Sequence, residues 1–243
     1  MKRSLSVLLA VCIMTCLCAC SGSGSKKLVM ATNAAFPPYE MVEGNKIVGI
    51  DAEIAQLIAD DIGRELIIED MAFDSVIAAV QTGKADIAMA GLTITEDRKQ
   101  NINFSDPYTE AAQVIIVKNG STVSMPEDLE GKTIGVQIGT TGDIYAADIA
   151  DASIERYSKY YEAINALIQD KIDAVIVDRE PAKVFVDQNP DLILIDKEFT
   201  VEEYAIGVGK QNTELLDQIN ASLKKLKDSG KVDEIINKYI SAE

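Results

Sequence analysis

Residues 65–91 read "ELIIEDMAFDSVIAAVQTGKADIAMAG". A short apolar run is followed by a helix-spaced stretch that closes on Gly83, and then by a second short apolar run. Apolar runs of about 4–8 residues are strand-sized, and a segment of ten or more residues between them suits a crossover helix. Strands joined in this way pair parallel. Asp74 stands where an N-cap is expected and Gly83 where the chain must leave the helix. The pattern continues upstream. "KLVMAT" (27–32) is strand-like, and in "DAEIAQLIADDIG" (51–63) Ile54, Leu57, Ile58 and Ile62 share one helical face, with Gly63 as its C-terminal stop. The order β-α-β-α-β predicts a mostly parallel sheet with helices on both faces.

A second series follows. "QVIIVK" (113–118) breaks the rhythm, and in "SMPED" (124–128) Ser124 and Glu127 have capping-box spacing. The strands "KTIGVQ" (132–137), 153–157, "DAVIVD" (173–178) and "LILI" (192–195) then alternate with helices near 142–150, at "YEAINALIQD" (161–170) and near 180–188. "EEYAIGVGK" (202–210) reads as one more strand, and two amphipathic helices close the chain. The fold class expected is therefore α/β: two Rossmann-like lobes joined by a two-strand hinge, with a ligand cleft between them. Lobe 1 takes residues 27–112 plus 206–243, lobe 2 takes 113–205, and the hinge strands lie near 111–118 and 201–207. Ligands of such sheets sit beyond the carboxyl ends of the strands.

Composition narrows the chemistry. All four cysteines of the 243 residues (Cys12, Cys16, Cys18, Cys20) lie at the start, and the chain has no histidine. The body therefore has no disulfide, no cysteine nucleophile, no Ser-His-Asp triad and none of the common zinc sites. Lys2 and Arg3, the apolar run Leu5–Leu17 and "LCAC" ending at Cys20 have the form of a lipoprotein signal. The expectation is a signal peptide over 1–19, a lipid on Cys20 and a flexible Gly/Ser tether over 20–26. Losing Lys2 and Arg3 with the signal takes the net charge from −16 to −18. Such a body repels nucleic acid and anionic lipid, so the lipid anchor is its one expected hold on a membrane.

The loops at the strand ends carry the candidate site. The first is "NAAFPPYE" (33–40), which displays Phe36 and Tyr39; Phe36 is expected to face the cleft. Phe73 follows the second strand and suits either a cleft wall or the core. "ADIAMAGLTITEDR" (85–98) ends in Gly91, Thr93 and Arg98, with Thr95 as a helix cap. "IGTTGD" (138–143) opens a helix at Gly139-Thr140-Thr141, where free N–H groups favour an anion. Asp178 ends an apolar run and suits either a helix cap or a cation acceptor. Together they offer an anion receptor (Arg98 with the Gly139–Thr141 turn), a cation acceptor (Asp178), hydroxyls (Thr93, Thr140) and aromatic walls. That set matches the α-amino carboxylate zwitterion of an amino acid, whose charges tolerate burial only when paired.

These residues carry a resemblance. "FPPYE", "GKADIAMAGLTITEDRKQNINFSDPY", "GKTIGVQIGTTGD" and "DAVIVD" make the chain similar to the polar amino-acid-binding proteins of ABC importers, extracellular solute-binding proteins of family 3 with the periplasmic-binding-protein type II fold. The resemblance spans nearly all of 27–240. It implies that Arg98 clamps the ligand carboxylate, that Thr93 contacts the ligand backbone, and that Gly91 offers its carbonyl to the ammonium. It further implies a backbone N–H from Thr141, an ammonium acceptor at Asp178, and aromatic packing from Phe36 and Phe73. Gln137 lies where it can meet the ligand side chain. Asn33 replaces an acid often present in binders of basic ligands, which favours a polar neutral ligand such as glutamine. Glu40 keeps basic amino acids (arginine, lysine, histidine) open, with cystine a further alternative. The implied partners are a free amino acid, a membrane permease and its ATPase; a monomer without cofactor or metal is expected. Two other classes remain at this stage: a dehydratase-like enzyme using Glu40 as general acid, and a sensory lipoprotein on the same fold.

Overall fold

The computed structural model describes residues 26–198 and 200–240. The expected signal peptide, Cys20 and the Ser21–Ser25 tether lie outside the described residues.

The first sheet is built as the opening pattern predicts. Strand β1 (Lys26–Thr32) leads through β2 (Ala35–Phe36), β3 (Glu40–Glu43) and β4 (Lys46–Val48), a small antiparallel sheet, into helix α1 (Ile50–Asp61). Then come β5 (Arg64–Asp70), α2 (Phe73–Gln81), β6 (Ile87–Ala88), α3 (Glu96–Asn101) and β7 (Ile102–Phe104). β1 runs parallel to both β5 and β6. Leu28, Met30 and Ala31 of β1 are wholly buried, as a strand covered on both faces requires. The run "ADIAMAG" keeps only Ile87 and Ala88 in the ladder. Its remainder, Met89 to Leu92, is buried but irregular, and turns at Gly91.

Strand β8 (Thr109–Lys118) carries the chain into a second sheet with β9 (Thr133–Gln137), α4 (Thr141–Ala147), β10 (Ser153–Tyr157), α5 (Tyr160–Ile168), β11 (Ala174–Asp178), α6 (Arg179–Asp187) and β12 (Leu192–Ile195). The strand order is β10-β9-β11-β8-β12, with β8 antiparallel to β11 and β12. β8 starts four residues before "QVIIVK", because its first residues pair with the returning strand β13 (Val201–Tyr204). The single strand expected over 202–210 is two. β13 pairs with β8, and β14 (Gly207–Gly209) pairs with β6 and β7 of the first sheet. The break at Ala205-Ile206 is where the chain changes sheets. Its amides are held by Leu92 O (3.1 Å) and Ser105 Oγ (3.0 Å).

The closing helices α7 (Thr213–Asp228) and α8 (Lys231–Tyr239) return to the first sheet's side. Leu215, Ile219, Leu223, Val232 and Ile235 join the same apolar cluster as Ile54 and Ile58 of α1. Two local expectations of capping fail. Asp74 makes no cap bond, and Ala72 occupies the N-cap of α2. In the 3-10 turn Pro126–Leu129 it is Asp128, not Glu127, that accepts from the amides of Ser124 (2.8 Å) and Met125 (3.2 Å).

Gly49 ties the first loop to α1. The N–H groups of Ile50 and Asp51 donate to the carbonyls of Pro38 (3.1 Å) and Tyr39 (3.0 Å), drawing the two segments together. Gly49 sits at φ 129°, and a Cβ there would lie 2.2 Å from the Tyr39 carbonyl oxygen. Because the clash is with backbone, no side-chain rotation relieves it. Gly49→Ala should destabilise the protein by about 3 kcal/mol or more. A lowered urea midpoint with unchanged slope would show this; an unchanged midpoint would refute it.

Candidate functional site

The loops beyond the strand ends line a narrow cavity. Its wall contains all nine residues selected from the sequence: Phe36, Phe73, Gly91, Thr93, Arg98, Gln137, Thr140, Thr141 and Asp178. It also contains Asn33, Ala90 and Glu40.

Arg98 lies in α3, behind the Thr95 cap, whose Oγ1 accepts from the Arg98 amide at 3.1 Å. The side chain turns inward and is 7% exposed. Its Nη1 donates to Thr93 O (2.8 Å) and its Nη2 to Gly139 O (3.1 Å), so the guanidinium spans the two sides of the cavity. The guanidinium carbon stands 5.5 Å from the Phe73 ring centroid. Among the described residues no carboxylate forms a salt bridge with Arg98. Burial pulls its pKa below the ordinary arginine value, against the pull of Glu202 and Asp178. A buried guanidinium held by neutral carbonyls keeps its demand for an anion.

Asp178 occupies the N-cap position of α6 but makes no cap bond. Its Oδ1 accepts from the Tyr204 hydroxyl at 2.5 Å instead. Burial, and then the charge of Glu202, push its carboxyl up to about 7. Thr140 is the cap of the neighbouring helix. Its Oγ1 accepts from Asp143 N (3.3 Å) and donates to Gln137 O (2.8 Å), which leaves no proton for a ligand. Phe36 lines the cavity and stacks on Tyr160, with centroids 5.7 Å apart. Tyr39 lies behind it, edge-on to Tyr204 at 5.0 Å. Gly91 is at φ 53°, and a Cβ on it would come within 2.7 Å of the Phe36 ring, so glycine is required there.

Three acids complete the electrostatics. Asp51 is buried and accepts from the Gly91 amide (3.0 Å) and the Tyr108 hydroxyl (2.7 Å), which fixes the Gly91 peptide plane. Burial raises its carboxyl to about 6, restrained by those bonds. Glu40 is fully buried with no donor to its oxygens among the described residues, and its side-chain neighbour is the Asp51 carboxyl, to which a proton on Glu40 can be donated. Burial and then the adjacent Asp51 push its carboxyl well above the usual range. Glu202, on β13, accepts from the hydroxyls of Thr93 (2.7 Å) and Thr141 (3.0 Å).

Asp51, Glu202 and Tyr204 do not emerge from motif reading, although each leaves a periodic trace. Asp51 shares the buried helical face of Ile54 and Ile58, and a charge on an apolar face signals a buried role. Glu202 and Tyr204 are the inward residues of an alternating strand, in which Val201 and Glu203 face out.

Comparison with known proteins agrees with this arrangement. Residues 28–242 match the sequence model of the bacterial extracellular solute-binding proteins, family 3. The chain is 32% identical to the arginine-binding extracellular protein ArtP of Bacillus subtilis, over all of both sequences. It is 36% identical to the glutamine-binding protein GlnH of the same organism, over 82% of this chain and 74% of that one. Among solved structures it superposes on the arginine-, lysine-, histidine-binding protein ArtJ of Geobacillus stearothermophilus with a TM-score of 0.85 at 38% identity, over 90% of this chain and 96% of that one. The α/β architecture is that of the periplasmic-binding-protein type II fold.

The raised carboxyls predict how stability depends on pH. A group whose folded pKa exceeds its unfolded value binds more protons in the folded state, so its contribution is present at low pH and lost as pH rises through the folded pKa. For Asp51 and Asp178 that window runs from about 4 up to about 6 and 7. Thermal unfolding of the ligand-free protein should therefore show a Tm that falls between pH 5 and pH 8. Asp178→Asn keeps an acceptor for Tyr204 but removes the charge, and should raise Tm at pH 8, at roughly 2–4 °C per kcal/mol for a chain of this size. A Tm independent of pH, or lowered at pH 8 by the substitution, would contradict this account.

Proposed function

The chain belongs to the bacterial extracellular solute-binding proteins of family 3, and from that premise we propose that it captures a basic amino acid, arginine foremost, for an ABC importer. As a member it is an extracytoplasmic amino-acid-binding protein of an ABC transporter, not an enzyme. The observation that carries the choice of ligand is Glu40, a fully buried carboxyl in the cavity wall that has the Asp51 carboxyl beside it and no donor to either oxygen among the described residues. Burial and Asp51 disfavour the ionised form of Glu40, and a cationic ligand terminus offsets that bias by pairing with it.

The preference for a glutamine-like ligand gives way on two further points. Asn33, whose presence in place of an acid argued against basic ligands, has its amide engaged with Met71 O (2.7 Å) and Gln137 (2.9 Å). It holds the wall together, and Glu40 takes the acidic role from the other end of the same loop. Gln137 donates to both Asn33 Oδ1 and Ser158 O (2.8 Å), so its remaining group is an acceptor. A carboxylate and an amide oxygen suit the N–H-rich end of arginine, whereas a glutamine side chain needs a donor as well as an acceptor. Relatives named for binding arginine, lysine and histidine support the same reading.

In this reading the ligand carboxylate lies on the Arg98 guanidinium, with the Thr141 amide adding to its hold. The ammonium meets Asp178, the Gly91 carbonyl and Thr93, and the side chain passes between Phe36 and Phe73 toward Glu40. The side of the first sheet supplies Arg98, Thr93 and, from the small antiparallel sheet, Glu40; the side of the second supplies Thr141 and Asp178. Swinging about β8 and β13, the two sides close on a ligand that satisfies both. A lipid on Cys20 would keep the monomer beside the permease and its ATPase.

Calorimetry tests the assignment. Arginine should bind the wild-type protein more tightly than glutamine. Glu40→Gln should weaken arginine by roughly 30-fold or more, the cost of losing one partner of a buried charge pair, and should affect glutamine far less. Arg98→Ala should abolish binding of both while the circular dichroism spectrum persists. Tighter binding of glutamine than arginine by the wild-type protein would overturn the choice of ligand. Undiminished binding by Arg98→Ala would overturn the site.

A further inference from the structure

Glu202 has no role in the zwitterion clamp as drawn, yet it touches both halves of it. It stands on β13, one of the two segments that link the sheets, and is 5% exposed. One oxygen, Oε2, receives the hydroxyl of Thr93 (2.7 Å) from the first sheet's side and the hydroxyl of Thr141 (3.0 Å) at the start of α4. It also lies 3.4 Å from Nε2 of Gln113, on β8, the other linking segment. The same Nε2 donates to Thr141 Oγ1 at 3.2 Å.

A hydroxyl has one proton, and a carboxylate only accepts. Both threonine protons are therefore committed to Glu202. Toward the cavity Thr93 Oγ1 presents lone pairs alone, so it can accept from a ligand but cannot donate to one. The same holds for Thr141, whose lone pairs also face Gln113. Without Glu202 each hydroxyl would be free to rotate and donate to whatever oxygen the ligand brought near.

We propose that Glu202 is a positioning residue that fixes the hydrogen-bond polarity of Thr93, making it an obligate acceptor and so selecting a protonated α-amine over an α-substituent with fewer protons to give. The inference rests on the amino-acid reading but not on which side chain is bound. An α-ammonium has three protons, matching three acceptors: Asp178, the Gly91 carbonyl and Thr93 Oγ1. An α-hydroxyl has one, and leaves two of those acceptors unmatched. A ligand lying in reverse would press its carboxylate against the Thr93 lone pairs, so the same residue also fixes which way round the zwitterion lies.

The test compares arginine with its α-hydroxy analogue, 2-hydroxy-5-guanidinopentanoic acid, by calorimetry on the wild-type protein, Glu202→Gln and Thr93→Val. Wild type should bind arginine far more tightly than the analogue. In Glu202→Gln the amide N–H can donate to Thr93 and release its proton toward the cavity, so the ratio of the two affinities should fall by roughly tenfold, about the worth of one hydrogen bond to a charged group. Thr93→Val should reduce the ratio similarly, and adding Glu202→Gln to it should change the ratio no further. A purely structural role would weaken both ligands in parallel and leave the ratio intact; that result, or additive effects in the double variant, would overturn the proposal. Should Glu202→Gln not fold, an unreduced ratio in Thr93→Val overturns it alone. If the wild-type protein binds glutamine rather than arginine, the choice of ligand fails separately, and glutamine with its α-hydroxy analogue gives the same test.

Discussion

Arg98 is a buried cation whose protein partners are two carbonyl oxygens, and much of the surrounding structure is arranged around that fact. Neutral acceptors orient a guanidinium without discharging it, so the N–H groups that remain are strong donors aimed at one place. The acids that could have neutralised it are held back by other work. Tyr204 occupies an oxygen of Asp178, Glu202 takes the two threonine protons, and Asp51 holds the Gly91 amide and Tyr108. Glu202 and Asp178 lie close enough to act on the Arg98 charge, yet each acid is engaged elsewhere and none forms a salt bridge with it among the described residues.

Topology makes this separation workable. Arg98 sits on a short helix beyond β6, and Asp178 ends β11 in the other sheet; they converge because the chain crosses between sheets twice. The crossings are more than connectors. β8 contributes Gln113, and β13 contributes Glu202 and Tyr204, so the groups that hold Thr93, Thr141 and Asp178 from behind the cavity wall come from the linking strands themselves. Groups on a linking strand contact both sides at once, as Glu202 does through Thr93 and Thr141. Rotation of one sheet relative to the other would alter those contacts before it altered either core.

How much of this was legible in the sequence follows from the same geometry. Arg98, Thr93 and Asp178 could be read because each ends an apolar strand, where a polar residue is conspicuous. Together with the residues taken from the loops and from the family resemblance, nine in all, they line the cavity. Glu202 and Asp51 could not be read in that way, since each lies inside an element whose pattern is already explained, one in a strand of alternating exposure and one in the first turn of an amphipathic helix. Only the exact register, fixed by tertiary pairing, turns them inward. The break at Ala205-Ile206 was hidden for the same reason: "EEYAIGVGK" is apolar enough for one strand, and only the pairing of β8 and β6 with different halves of it divides the run.

Ligand preference was the least legible property, because it depends on which hydrogen-bonding groups are already engaged. Asn33 and Gln137 look from the sequence like readers of a polar neutral side chain. In the folded protein they bond to each other, to Met71 and to Ser158, and so become wall. Glu40, in a loop that reads simply as Pro-rich, is left with the Asp51 carboxyl beside it and no donor to its oxygens among the described residues. Which group of the wall remains to engage a side chain then decides between ligands. The wall carries Arg98 against Glu40 and Asp178, with Asp51 and Glu202 directly behind it. A neutral zwitterion satisfies Arg98 and Asp178 and leaves Glu40 a buried carboxyl whose proton is favoured by burial and by Asp51. A ligand with one more positive charge gives the ionised form of that carboxyl a partner.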